Sequence, residues 1–334
     1  MPLTAEPTAK AAADRDRLRS AMELDVAEGG LPPRRMDRLL VASWNVRAFG
    51  AFTDRWEARA GDRPTRDLRA LLCIAEVISR FDVIAVQELK GNVEALREVL
   101  DYLNRNESGR WRVIVTDVTR GDPGNDERLG FVYDSRKVEP SGLAAELVLP
   151  VTDLIAADAA AVQFARTPYA VSFRSGAEHF TLVTLHVIWG TLQHRTAELS
   201  AIAEWLATWA GEPDIWASDV IALGDFNIDR HGSERWEAFV STGLTLPWEL
   251  FDVPRSIFGT PGASSGKFYD QIAWFTDQPG SDAAFDGPPL SLRYQHRGGS
   301  FDFVPHVFQE LTKQQMSHRM SDHLPLWVEF SRRD

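Results

Sequence analysis

The chain has 334 residues, 44% of them hydrophobic, and a formal net charge of −12, enough apolar material for a substantial core. No run approaches the ~18 apolar residues of a membrane span, and Met1 to Ser20 lacks the apolar core of a secretory signal, so a soluble, cytoplasmic monomer with no membrane partner is expected. The first 36 residues hold six acids and six bases, which leaves the whole negative excess on residues 37–334; this argues against tight, sequence-independent gripping of nucleic acid by a basic face, but clustered carboxylates remain compatible with a divalent cation bridging the protein to a phosphate.

Residues 1–36, rich in Ala, Pro and charge, read as a disordered or loosely helical tail, with a short helix possible over Ala11 to Leu24. From Leu39 the pattern changes to short apolar runs separated by turn signals. Strands are predicted at Leu39 to Val46, Val83 to Leu89, Arg112 to Val118, Gly130 to Tyr133, Ala170 to Phe173, Phe180 to Val187, Val220 to Phe226, Gln271 to Phe275 and Leu324 to Phe330. Helices with one apolar face are predicted at Arg66 to Arg80, Asn92 to Leu103 and Arg195 to Trp209. The only cysteine, Cys73, lies inside the first of these, so no internal disulfide can form and a buried, inert thiol is expected. Loops are read at Gly121 to Asn125, Gly259 to Gly266 and Gln278 to Pro289. More strands than helices, without strict alternation, points to two packed sheets covered by helices, and residues 37–332 read as one domain.

Polar clusters punctuate the ends of the apolar runs: Trp44-Asn45, Gln87-Glu88, Leu185-His186, Gly224-Asp225-Phe226-Asn227 and Ser321-Asp322-His323. Each has an ordinary structural explanation, such as an Asx turn for Asp225 to Asn227 or a satisfied strand-end histidine for His186. Glu88 resists one, because an acid closing a buried strand needs a cation or a partner. Their common position suggests a single polar site. Gly262-Ala263-Ser264-Ser265-Gly266 matches a nucleophile-elbow pattern, but Pro261 precedes it and a strand pattern follows, which is the wrong context. Gly266-Lys267 echoes a phosphate-binding loop, but Phe268 stands where Ser or Thr is required.

These clusters, in this order, together with Glu127-Arg128, Arg166-Thr167-Pro168, Tyr269-Asp270-Gln271-Ile272 and Phe301-Asp302-Phe303, resemble the endonuclease/exonuclease/phosphatase superfamily, and within it DNase I, over roughly Arg38 to Phe330. The resemblance implies an α/β fold, a four-layer αββα sandwich of two mixed, mainly antiparallel sheets flanked by helices. It implies a hydrolase dependent on Mg²⁺ or Mn²⁺, with Glu88 the principal ligand and Asn45 and Asp322 close to the metal. Asp225 and Asn227 would hold the phosphate and attacking water, or a second cation. His186 with Glu127 and His323 with Asp270 would form two His-carboxylate pairs on opposite sides of the scissile phosphorus, the acid and base roles staying open between them. Arg47, Arg166 and Lys90 are the implied phosphate contacts. DNase I has an aromatic residue where this chain has Asn125 and an arginine where it has Lys90, so groove insertion is weakened while backbone binding stays plausible. The expected activity is a DNase I-like endonuclease acting on DNA weakly and without sequence specificity. The alternative is a phosphomonoesterase or phospholipase of the inositol phosphate or sphingomyelin type on the same scaffold.

Overall fold

The computed structural model describes residues 2–106, 109–120, 125–148, 155–157, 160–162, 164–211, 219–259, 267–275, 290 and 292–332. The Gly-rich stretch carrying Gly262 to Gly266 and nearly all of the loops read at 121–125 and 278–289 lie outside these residues. An N-terminal helix α1 (Ala9–Met22) leads into β1 (Arg38–Phe49), α2 (Leu68–Ile78), β2 (Val83–Lys90), α3 (Glu94–Asn106), β3 (Trp111–Val115), β4 (Glu127–Asp134) and β5 (Glu139–Glu146). A two-stranded ribbon of β6 (Ile155–Ala157) and β7 (Ala160–Val162) precedes β8 (Tyr169–Ser175), β9 (Glu178–His186), α4 (Leu192–Gly211) and β10 (Val220–Asp225). The chain closes with α5 (Glu234–Val240), β11 (Leu244–Thr245), β12 (Asp270–Phe275), β13 (Arg293–Ser300), α6 (Lys313–Ser317) and β14 (Leu326–Ser331).

Two six-stranded sheets result, in the orders β13-β14-β1-β2-β4-β3 and β11-β12-β10-β9-β8-β5. Each has one parallel pair at its centre, β1 with β2 and β9 with β10, and antiparallel neighbours elsewhere. Phe131, Phe173, Phe180, Leu182 and Val328 pack between the sheets, while α1, α2 and α3 cover the first sheet and α4 and α5 cover the second. This is the expected four-layer αββα sandwich. Burial of α2 is complete along its length, and its start is fixed by Asp67, whose carboxylate accepts from the Ala70 amide at 3.0 Å.

Five described strands escaped the sequence reading: the ribbon strands β6 and β7 and three sheet edges, β5, β11 and β13. β5 alternates exposed and half-buried residues and contains Pro140 and Gly142; β13 contains Gly298 and Gly299 and a bulge between Tyr294 and Gly298. Edge strands carry little of the apolar signal that reveals central ones. The N-terminal segment also differs from a loose tail. Helix α1 is capped by Thr8, and its Asp14 is fully buried, accepting from Arg69 Nε at 2.7 Å and the Phe308 amide at 3.0 Å. The helix docks on α2 through the buried Ala11, Leu18, Ala21 and Met22, with the Asp14–Arg69 ion pair set among them. Among the described residues no helix is long and apolar enough to cross a membrane.

Candidate active site

The strand directions gather the polar clusters at one end of the sandwich. The parallel pairs bring the C-terminal ends of β1, β2, β9 and β10 there, carrying Asn45, Glu88, His186 and Asp225. The antiparallel neighbours β4, β12 and β14 start at the same end, which delivers Glu127, Asp270 and the Asp322-His323 turn. Backbone geometry sharpens the aim. Glu88, Ala48 and Asn227 adopt left-handed conformations with φ of 59°, 48° and 51°, each at a cost on the order of 1–3 kcal/mol that surrounding structure must cover. Gly224, at φ 148°, passes so close to β9 that a Cβ would lie 2.1 Å from the Leu185 carbonyl oxygen.

Asp225 is the hub. Its Oδ2 accepts from Asn45 Nδ2 at 3.1 Å and lies 3.6 Å from His186 Nε2 and 3.7 Å from His323 Nε2. Its Oδ1 accepts from the Asn227 amide at 3.0 Å, and the Asn227 side chain donates to the Val187 carbonyl at 2.6 Å. Asn45 Nδ2 also donates to Glu88 Oε1 at 3.0 Å, while Glu88 Oε2 accepts from the Ala48 amide at 2.8 Å. Behind the two histidines stand the two expected carboxylates: Asp270 Oδ2 is 2.7 Å from His323 Nδ1, and Glu127 Oε2 is 3.0 Å from His186 Nδ1. The second contact is off the line of a hydrogen bond, leaving His186 Nδ1 without such a partner.

Electrostatics follow burial and neighbours. Burial lifts the fully enclosed Asp270 carboxyl to about 6 against the pull of His323. For His323, burial disfavours the cation, but Asp270 and Asp225 outweigh it and hold the imidazole well above its ordinary range. Glu127 is opposed by burial yet brought down to about 2 by His186, Arg166 and Lys90.

The implied phosphate contacts divide. Lys90 Nζ lies 3.1 Å from Glu127 Oε1 and Arg166 Nε 2.7 Å from Glu127 Oε2, so both cations are engaged behind His186. Arg47 stays at the open side, with Nη1 2.9 Å from Ser317 Oγ and 3.4 Å from Asp322 Oδ2. The described contact of the Asp322 carboxylate is with Arg47, whereas Glu88, Glu127 and His186 offer ligand atoms all within 4.8 Å of one another. These oxygen donors and an imidazole suit a divalent cation. They overlap the implied metal set only at Glu88.

Several positioning groups were not foreseen. Arg66, 4% exposed, donates to the carbonyls of Val46, Arg47, Ala48, Arg319 and Met320, tying the turn after Asn45 to the loop before Asp322. Arg255, 2% exposed, donates to the carbonyls of Leu250, Val253 and Asp270 beneath His323. Ser321 Oγ donates to the Asn45 carbonyl at 2.6 Å and accepts from the His323 amide at 3.0 Å. Local sequence gives no signal for such roles, because Arg66 gathers carbonyls from two segments distant in the chain and Arg255 joins nearby carbonyls to that of Asp270 on another strand.

This architecture, two mixed sheets with the polar ends of both central pairs facing one another, is the fold of the endonuclease/exonuclease/phosphatase superfamily. Among solved structures, the chain is similar to an endonuclease/exonuclease/phosphatase family protein from Bacteroides thetaiotaomicron, at 20% identity and TM-score 0.53 over 89% of this chain and 98% of that one. It is similar to the human nocturnin catalytic domain with bound sulfate anion, at 14% identity and TM-score 0.56, covering 90% and 96%. It also resembles D. rerio TDP2 complexed with single strand DNA product, at 15% identity and TM-score 0.51, covering 88% and 99%. No protein-family model and no curated protein sequence matches the chain.

Proposed function

We propose that the protein is a metal-dependent phosphoric ester hydrolase, and more specifically a phosphodiesterase that cleaves DNA without sequence specificity. The observation that carries this reading is the convergence of the two histidine Nε2 atoms, 3.6 and 3.7 Å away, on one oxygen of Asp225. Two imidazoles aimed at one point, each with a carboxylate behind its Nδ1, suit delivery and removal of protons on either side of a phosphorus atom. Asp270 fixes the His323 ring so that Nε2 carries a proton toward the site, where it can protonate a leaving oxygen. Asp225 and His186 can accept the proton of an attacking water, which Asn227 helps to confine. Arg47 is the open-side cation for a phosphate oxygen, with Arg166 and Lys90 a layer deeper.

Glu88, with Asn45 and Asp322 from the implied set and with Glu127 and His186 close by, would hold Mg²⁺ or Mn²⁺. A cation there would supply neutralisation of the charge that builds on the non-bridging oxygens. The single strand DNA product bound by the similar D. rerio structure supports a polynucleotide substrate. The net charge of −12 points to weak binding of it.

The test is a matched panel in Mg²⁺ or Mn²⁺: end-labelled duplex and single-stranded oligonucleotides against inositol phosphate, p-nitrophenyl phosphate and sphingomyelin. Internal cleavage of oligonucleotides is the expected result. Intact oligonucleotides with release of phosphate or headgroup would overturn the nuclease reading and leave the phosphatase or phospholipase alternative.

A further inference from the structure

Beside this site stands a large exposed ring. Trp189, three residues beyond His186, is 64% exposed. Single exposed apolar residues are common on protein surfaces, but this one is supported on two sides. Its ring meets that of Tyr269 edge to face, with centroids 5.9 Å apart at 88°, and the Tyr269 ring lies 6.0 Å from the His323 ring. The Arg195 guanidinium lies 4.8 Å from the centre of the indole, over its face. Arg195 is anchored in turn, with Nη1 3.4 Å from the Asn227 carbonyl and 3.6 Å from Asp229 Oδ1. The Tyr269 ring therefore links the indole to His323, and one cation links it to Asn227. Trp248 is also exposed, at 77%, but its ring contact is with Phe251.

We propose that Trp189 is a stacking platform for a base next to the scissile phosphate, which makes the substrate a base-bearing strand, single-stranded or locally unstacked, in preference to a sugar phosphate or a lipid headgroup. The inference rests on the phosphodiesterase reading and adds the means of recognition. An indole stacks on any base, because every base has a π-face, so the contact gives affinity without sequence preference. The cation over the ring fixes its orientation before the substrate arrives. Stacking also explains how an acidic protein whose Lys90 and Arg166 are engaged with Glu127 could hold a polyanion: affinity comes from a contact that salt does not screen.

The experiment compares kcat/KM of the full chain on a short oligothymidylate and on a chain of the same length in which tetrahydrofuran spacers replace the nucleosides. The wild type should prefer the base-bearing chain. Trp189→Ala should reduce that preference roughly ten-fold or more, Trp189→Phe should restore most of it, and Trp248→Ala should keep it. An unchanged preference in Trp189→Ala, or none in the wild type, overturns the proposal. A second readout needs no turnover: in EDTA, oligothymidylate should quench tryptophan emission in the wild type and quench it less in Trp189→Ala. If neither chain is cleaved, the nuclease reading fails and this quenching decides the platform alone, with equal quenching in both proteins refuting it.

Discussion

Glu198, on the inner face of α4, is 3% exposed, and burial pushes its carboxyl from an ordinary 4.5 up to about 7, against the opposing effect of the Ile188 amide, which donates to Oε2 at 3.4 Å. An acid raised in this way behaves opposite to a salt-bridged one. Folded and unfolded chains both hold the proton below 4.5, so no penalty exists there. As pH rises from 4.5 toward 7 the unfolded chain ionises first, and stability falls until the folded group ionises too. The interval of 2.5 between 4.5 and about 7, at 1.36 kcal/mol per unit, gives a penalty of about 3 kcal/mol at pH 8. Glu198→Gln keeps the shape and an acceptor for Ile188 but cannot ionise. Urea unfolding should find it more stable than the wild type by about 3 kcal/mol at pH 8 and by under ~1 kcal/mol at pH 5. A difference independent of pH, or a variant less stable at pH 8, would refute the assignment of Glu198 as a buried acid working against the fold.

Other consequences follow from the same geometry. Asp270→Asn removes the carboxylate that fixes His323, 2.7 Å away; kcat should fall roughly 10²–10⁴-fold with the fold intact by circular dichroism. Because the Asp270 carboxyl is lifted to about 6, wild-type kcat should fall as pH drops below that value, a limb that a pH-rate profile reads directly. Gly224→Ala places a Cβ 2.1 Å from the Leu185 carbonyl oxygen and should cost on the order of 3 kcal/mol or more by denaturant titration. Asp14→Ala leaves Arg69 paired only with the half-exposed Glu310 and the Phe308 amide without its acceptor, and should cost about 2 kcal/mol. It should also open the segment after α1 to limited proteolysis, whereas an unchanged digestion pattern would mean that α1 is not tied down through Asp14.

Central strands were readable because they are buried on both faces: Val83-Ile84-Ala85-Val86 and Val220-Ile221-Ala222-Leu223 are continuous apolar runs. The polar residues ending those runs stood out for the same reason. Glu127 was legible only through the superfamily resemblance, since β4 starts three residues before the predicted Gly130 and the acid sits at its first position. The pairing of His323 with Asp270 and the meeting of both histidines at Asp225 depend on which strand ends share one end of the sandwich, a tertiary property. The roles of Arg66 and Arg255 are more remote still. Each is a buried cation satisfied by backbone carbonyls, and the pattern of a sequence does not show where its carbonyls will converge. In α1 the periodic apolar signal was weak because its buried face is built largely of alanines and is interrupted by Asp14, which pairs with Arg69.

If the Asp225 hub and its two histidines hydrolyse a phosphodiester, the protein should nick DNA in a metal-dependent way. Nicking of supercoiled plasmid by the purified full chain in Mg²⁺ or Mn²⁺, with EDTA, His186→Ala and Asp225→Asn in parallel, tests it most directly. The expected result is open-circular product that EDTA abolishes and that each variant reduces at least 100-fold. Intact plasmid with the folded wild-type protein in both metals, or nicking that survives both substitutions, would contradict it.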